Sequence, residues 1–127
     1  MDKYKFINDQ MAAINVPYAL GEWASEDNEV IYPYSVGEFT EFSVATEDGA
    51  EETELLLTIF NRGNYIELVK INDKIKKHFP QNVGLCAKTD SGSIAVFFDG
   101  SAPIPTNEAG LKKIQINLRI KEWKGAV

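Results

Sequence analysis

The C-terminal residues constrain the fold most tightly. Ile114, Ile116, Leu118 and Ile120 alternate with Lys113, Gln115, Asn117, Arg119 and Lys121. A period of two sends successive side chains to opposite sides of a strand, so one face must enter a core. The other face meets water or a partner. An antiparallel sheet with helices over its apolar side meets that demand. Other segments supply the remaining strands. Glu54 to Asn61 holds Leu55-Leu56-Leu57-Thr58-Ile59-Phe60, apolar in both phases, which predicts a central strand. Tyr18 to Trp23 and Tyr32 to Phe42 read as strands. Pro33 belongs at an edge or a strand start because it cannot donate to a ladder. Val83 to Thr89 and Ser93 to Phe98 flank Asp90-Ser91-Gly92 and read as a hairpin.

Two helices complete the pattern. Tyr4, Ile7, Met11 and Ile14 share one face at three- and four-residue steps, with Phe6 outside it, Asp2 as N-cap and Pro17 as the stop. Leu68, Ile71, Ile75 and Phe79 form the face of the second. Asn64 and Glu67 have capping-box spacing there. Lys74, Lys76, Lys77 and His78 crowd its last turn, where the helix dipole favours cations, and Pro80 ends it. Ser25 to Glu29, Thr46 to Glu52 and Asp99 to Gly110 read as loops. The order is helix, three strands, helix, three strands. It predicts a single α+β domain over residues 1–127, with a two-layer, mainly antiparallel sheet and two helices packed on one face. A chain of 127 residues is long enough to bury a core without staples.

Catalytic chemistry is not expected. The one histidine, His78, reads as a dipole partner at a helix end. The one cysteine, Cys86, reads as a small buried hydrophobe and excludes an internal disulfide. A Cys86–His78 pair stays open, though no spacing favours it. Gly37, Gly49, Gly63 and Gly84 are scattered and read as turn residues rather than a phosphate loop. Glu47, Asp48, Glu51 and Glu52 lack the ligand order of a calcium loop, so no metal and no cofactor are expected. The start of the chain lacks the apolar run of a signal peptide, and no membrane span is expected.

Charge is segregated along the chain. Residues 6–61 hold twelve carboxylates and no Lys or Arg, a net of −12. Residues 62–127 hold eleven basic and six acidic residues, a net of +5. The whole chain stands at −6, a poor balance for a nonspecific nucleic-acid binder. Either the fold interleaves the two halves, or surfaces of opposite sign meet between copies in a head-to-tail contact. Candidate interface residues are Glu47, Asp48, Glu51 and Glu52, the aromatic Tyr32, Tyr34, Phe39 and Phe42, and Pro103 and Pro105. The loops Thr46 to Glu52 and Ser101 to Gly110, rather than the sheet, are the expected carriers of partner binding.

Several segments resemble the small tail terminator, or tail completion, proteins of siphophages and prophages. They are Val30-Ile31-Tyr32-Pro33-Tyr34-Ser35-Val36-Gly37-Glu38-Phe39, Asn61-Arg62-Gly63 before a helix with Leu68 and Ile75, and Val96-Phe97-Phe98. Ile104-Pro105-Thr106, Leu111-Lys112-Lys113-Ile114-Gln115-Ile116 and Lys121-Glu122-Trp123-Lys124 continue the likeness, which covers most of the chain from Tyr18 onward. The resemblance implies a structural virion protein, a minor tail component without catalysis. It implies a hexameric ring at the head–tail junction that caps the tail-tube protein and meets a head-completion protein. DNA would pass through its lumen without specific binding, and assembly would take place in the host cytoplasm. The alternative reading is a small acidic binding or inhibitor module, a nucleic-acid mimic or an adaptor.

Overall fold

The computed structural model describes residues 2–21, 32–41, 50–89 and 92–124. The elements in chain order are α1 (Lys3–Ala13), β1 (Tyr18–Leu20), β2 (Tyr34–Glu41), β3 (Glu51–Arg62), α2 (Ile66–His78), β4 (Leu85–Thr89), β5 (Gly92–Ile104) and β6 (Leu111–Lys124). One six-stranded sheet runs β1-β2-β3-β6-β5-β4. All its pairs are antiparallel except the short β1–β2 pair. The α+β class and the element order expected from the sequence are what the structure shows.

The β3–β6 pairing sets the core. Leu55 lies opposite Leu118, Leu57 opposite Ile116 and Ile59 opposite Ile114. All six are buried, and they cluster with Phe6, Ile7 and Met11 of α1 and Leu68, Ile71 and Ile75 of α2. Ile94, Val96 and Phe98 of β5 join the same cluster. Alternate residues of β3, among them Glu54, Leu56, Thr58 and Phe60, lie on the sheet's other face and stay partly exposed. Leu56 and Phe60 explain why this strand reads as apolar in both phases.

Several boundaries differ from the sequence reading. In α1 the buried set is Lys3, Phe6, Ile7 and Met11, so Phe6 takes the place expected for Tyr4. Tyr4 sits on the flank, 39% exposed, with its ring edge-on to Phe39 at 4.8 Å. Asp2 is the N-cap, its carboxylate accepting from the Lys5 N–H at 2.8 Å. The helix stops before Pro17, because Asn15 takes a left-handed φ of 58°. Asparagine tolerates that region better than most side chains. In α2 Asn64 accepts from the Glu67 N–H at a long 3.4 Å, so the expected box is weak.

Glu51 and Glu52, read as loop, begin β3 and lie opposite Glu122 and Lys121. Asp99 to Ile104, also read as loop, belongs to β5, which passes a bulge between Phe98 and Gly100 and pairs with β6 as far as Lys113. β4 pairs with β5 only as far as Val96, so among the described residues Pro103 has no strand on its outer side. A proline there interrupts no ladder on that side. The expected strand at residues 18–23 is described only as Tyr18–Leu20, and Phe42 and the loop at residues 25–29 lie outside the described residues.

Gly37 is a strand residue rather than a turn. A Cβ on it would come within 2.7 Å of the Tyr18 ring and 3.0 Å of Leu55. The missing side chain therefore lets β1 lay Tyr18 over β2. The Pro17 carbonyl fixes that approach by accepting from both the Ser35 N–H, at 2.8 Å, and the Ser35 hydroxyl, at 2.7 Å. Leu118 is fully buried at the centre of the cluster. Leu118→Ala is expected to cost about 2–5 kcal/mol, read as a lower urea midpoint at unchanged slope.

Candidate interaction surfaces

The face of the sheet away from the clustered core carries an aromatic ladder at one end. The rings of Tyr34 on β2 and Phe60 on β3 lie opposite each other and stack, with centroids 4.8 Å apart and planes 16° apart. Tyr32 extends the ladder at 5.5 Å from Tyr34. Cations close both ends, with the Arg62 guanidinium 5.5 Å from the Tyr32 centroid and the Lys113 ammonium 5.5 Å from that of Phe60. Such contacts contribute about 0.5–1 kcal/mol each at exposed sites. Arg62 also pairs with Glu108. Burial is the main cause that pushes the Tyr34 hydroxyl above its ordinary range.

The other end of this face is ionic. Lys121 lies 3.5 Å from Glu52, and Arg119 stands opposite Glu54 in the register. The Arg119 guanidinium lies over the Phe97 ring at 5.0 Å, and its Nε–H has no acceptor. Glu54 is held above the usual carboxylate range, first by burial and then by Asp99, with Arg119 opposing. Here the acidic and basic halves of the sequence interleave, because β3 comes from one and β6 from the other.

The expected interface residues therefore separate. Tyr32, Tyr34 and Glu52 do belong together, on the side of the sheet that neither described helix covers, its open side among the described residues. Phe39 does not. It lies opposite Leu55 and packs against the core cluster, so it belongs to the helix side. Glu51 is exposed at the start of β3. Glu47 and Asp48 lie outside the described residues. Pro103 lies in β5 opposite Ile114, and Pro105 in the following loop. Of the loops expected to carry partner binding, residues 46–49 lie outside the described residues, Glu51 and Glu52 are in β3, and Ser101 to Ile104 are in β5. Phe60, Lys113 and Arg119 were missed as surface candidates. Only the strand register, which fixes what stands beside Tyr34 and Glu54, brings them in.

A second surface is the outer side of α2. Ile66 is 62% and Val69 43% exposed, and Lys70, Asp73, Lys74, Lys76 and Lys77 are exposed around them. Glu67 pairs with Lys70 at 3.6 Å. His78 donates from Nε2 to the Gln10 side-chain oxygen at 2.7 Å, which ties α2 to α1. Cys86, expected to be buried, is exposed on β4, and its thiol is directed to the Val83 carbonyl rather than to His78. Among the described residues no three His, Cys, Asp or Glu side chains gather as a metal site. None of the described helices is long and apolar enough to cross a membrane.

A shallow, open pocket of about 500 Å³ is lined by Asn8, Ala12, Asn15, Val16, Pro17 and Tyr18. Beside it the Tyr18 hydroxyl is buried without a hydrogen-bond partner, and burial pushes its ionisation up to about 12. No protein-family model matches the chain, and no curated protein does.

Tyr18 gives a pH signature. In the unfolded chain a tyrosine ionises near 10, and in the fold Tyr18 does so at about 12. Between those values the unfolded state binds fewer protons, so stability falls as pH rises. Tyr18→Phe is expected to reduce the loss of denaturation midpoint between about pH 9 and about pH 11.5. At neutral pH it should leave stability unchanged or slightly higher, since the hydroxyl makes no hydrogen bond to lose.

Proposed function

We propose that the chain is a structural virion protein, a tail terminator that forms a ring, caps the tail tube and joins tail to head without catalysing a reaction. The observation that supports this reading is a pair of unlike surfaces on different elements. One is the outer side of α2, where Ile66 and Val69 are exposed among four lysines, with Glu67 and Asp73 exposed beside them, a net of +2. The other is the acidic end of β2 and β3 on the helix side, where Glu41 and Glu51 are exposed. Unlike surfaces that fit each other make a head-to-tail contact, and such a contact closes into a ring when the rotation allows. The apolar pair supplies attraction. The charges steer approach and orientation, since exposed ion pairs contribute only about 0–1 kcal/mol each. A hexamer is the ring that the family resemblance implies. The tail-tube protein and the head-completion protein are its proposed neighbours, with DNA passing through the lumen.

The test is to polymerise the tail-tube protein of the same phage with and without this chain. Electron microscopy is expected to show shorter tubes carrying a ring at one end, and native mass spectrometry a six-copy species. Val69→Glu with Lys70→Glu should abolish the ring while the circular dichroism stays that of the wild type. Tubes that grow unaltered, with no chain at their ends, would overturn the proposal and favour the acidic-module reading.

A further inference from the structure

The open side of the sheet has a symmetry of charge that the ring reading does not use. On this side β3 presents Glu52, Glu54, Leu56, Thr58 and Phe60, and β6 presents Lys121, Arg119, Asn117, Gln115 and Lys113 at the same levels. Each acid of β3 is thus matched by a base of β6, level for level, and the two strands are adjacent at the middle of the sheet. A rotation of 180° about an axis along the strands, between β3 and β6, keeps every level and exchanges the two strands. A second copy laid face to face about that axis sets Glu52 against the partner's Lys121 and Glu54 against the partner's Arg119. It sets the Phe60 ring against the partner's Lys113, and Val36 of β2 over the partner's Ala102 of β5. An axis across the strands at the middle level does the opposite, since it lays β6 on the partner's β6 and brings Lys113 over the partner's Lys121, like upon like.

We propose that this face is a docking surface for a second copy of the chain, packed sheet on sheet about the axis that runs along the strands between β3 and β6. The contact is isologous, so each charge pair is made twice. The rotation exchanges β2 with β5 and β3 with β6. These four strands, about 4.8 Å apart, and about ten residues at about 3.4 Å each give a patch of about 650 Å² per copy. Two such patches reach the low end of a standard stable interface. The apolar part comes from Leu56, Val36, Phe97 and Ile104. The charge pairs fix register and orientation more than strength. Sheets packed in this way lie about 10 Å apart, within reach of Glu and Arg side chains. The surface differs from the α2 contact of the ring, so either contact can fail without the other.

The experiment mixes two charge variants. In Glu54→Arg both members of the pair are basic, and in Arg119→Glu both are acidic. Each variant alone sets like charges against each other twice, whereas a one-to-one pair of the two restores both attractions. With the variants differently labelled, energy transfer between copies is expected to rise steeply only in the mixture. Self-association of each variant alone should weaken at least about tenfold, and the mixture should return to within about threefold of wild type. Within a monomer the substitution strains each variant whether or not it is mixed, so only a contact between copies gives this recovery. If either variant fails to fold, Glu52→Lys and Lys121→Glu, at another level of the same strands, replace them. A mixture no tighter than its components overturns the proposal. So does a wild-type chain that shows no contact between copies up to about 1 mM.

Discussion

The pairing of β3 with β6 is the constraint on which the rest depends. It is a long antiparallel ladder at the centre of the sheet, running from Glu51 opposite Glu122 to Arg62 opposite Leu111. One phase of it, Leu55, Leu57 and Ile59 with Ile114, Ile116 and Leu118, forms the floor on which both helices bury their apolar residues. The other phase is the open face. A shift of one residue would exchange the two phases and put Lys113, Arg119 and Lys121 under the helices. The cost of burying those cations unpaired is what holds the register. Lys3 closes the N-terminal end of α1 on the same framework. It bonds to Glu41 of β2 and lies 3.6 Å from Glu122 of β6. Burial alone would lower its ionisation. The bond to Glu41 and the two carboxylate charges outweigh burial and hold the ammonium above its ordinary range.

The segregation of charge along the chain follows from the same ladder. Acidic β3 lies in the first half of the sequence and basic β6 in the second, so the pairing neutralises part of the imbalance inside one copy. Interleaving is therefore real at the centre of the sheet. It also leaves acid and base in two parallel rows, and parallel rows of opposite sign are what a two-fold along the strands can match. An arrangement that alternated charges within each strand would neutralise as well, yet it would not distinguish this axis from one across the strands.

How much of this is legible in the sequence depends on whether local period decides the matter. The alternation at Lys113 to Lys121 is readable because its two phases differ sharply in polarity. Leu68, Ile71 and Ile75 are readable for the same reason at helical spacing. In β2 the phases do not differ in that way. Tyr34 and Val36 fall on one side and Phe39 on the other, and nothing local says which side meets the helices. The long-range contact of Tyr18 with Gly37 decides it, by placing Ser35, Gly37 and Phe39 inward. The end of β5 is unreadable for another reason. Pro103 and Pro105 look like loop residues, and only the shortness of β4 gives Pro103 a place in a strand. Glu51 and Glu52 look like loop residues until the opposing Lys121 is known. Cys86 is small and apolar enough for a core, but it points to the open face of a strand near the sheet edge. The surface candidates suffer most, because Phe60, Lys113 and Arg119 gain their meaning from neighbours far away in sequence.

The edges of the sheet bear on how such a molecule assembles. Exposed strand edges invite edge-to-edge growth, and proteins suppress it with short edge strands, prolines and lysines. Among the described residues all three devices are present. β1 pairs through three residues and β4 through five. Beyond Val96 the outer side of β5 is left by β4, and Pro103 lies in that stretch. Lys88 is exposed on β4 itself. With its edges guarded in this way, the sheet can associate through its open face or through the outer side of α2 without growing indefinitely by strand addition. A closed assembly, whether a two-fold pair or a ring, requires that restriction. An open edge would compete with both contacts through backbone hydrogen bonds that are indifferent to side-chain charge. The residues that look least functional, Pro103 and the short flanking strands, are therefore what allow the charge pattern on β3 and β6 to select a partner.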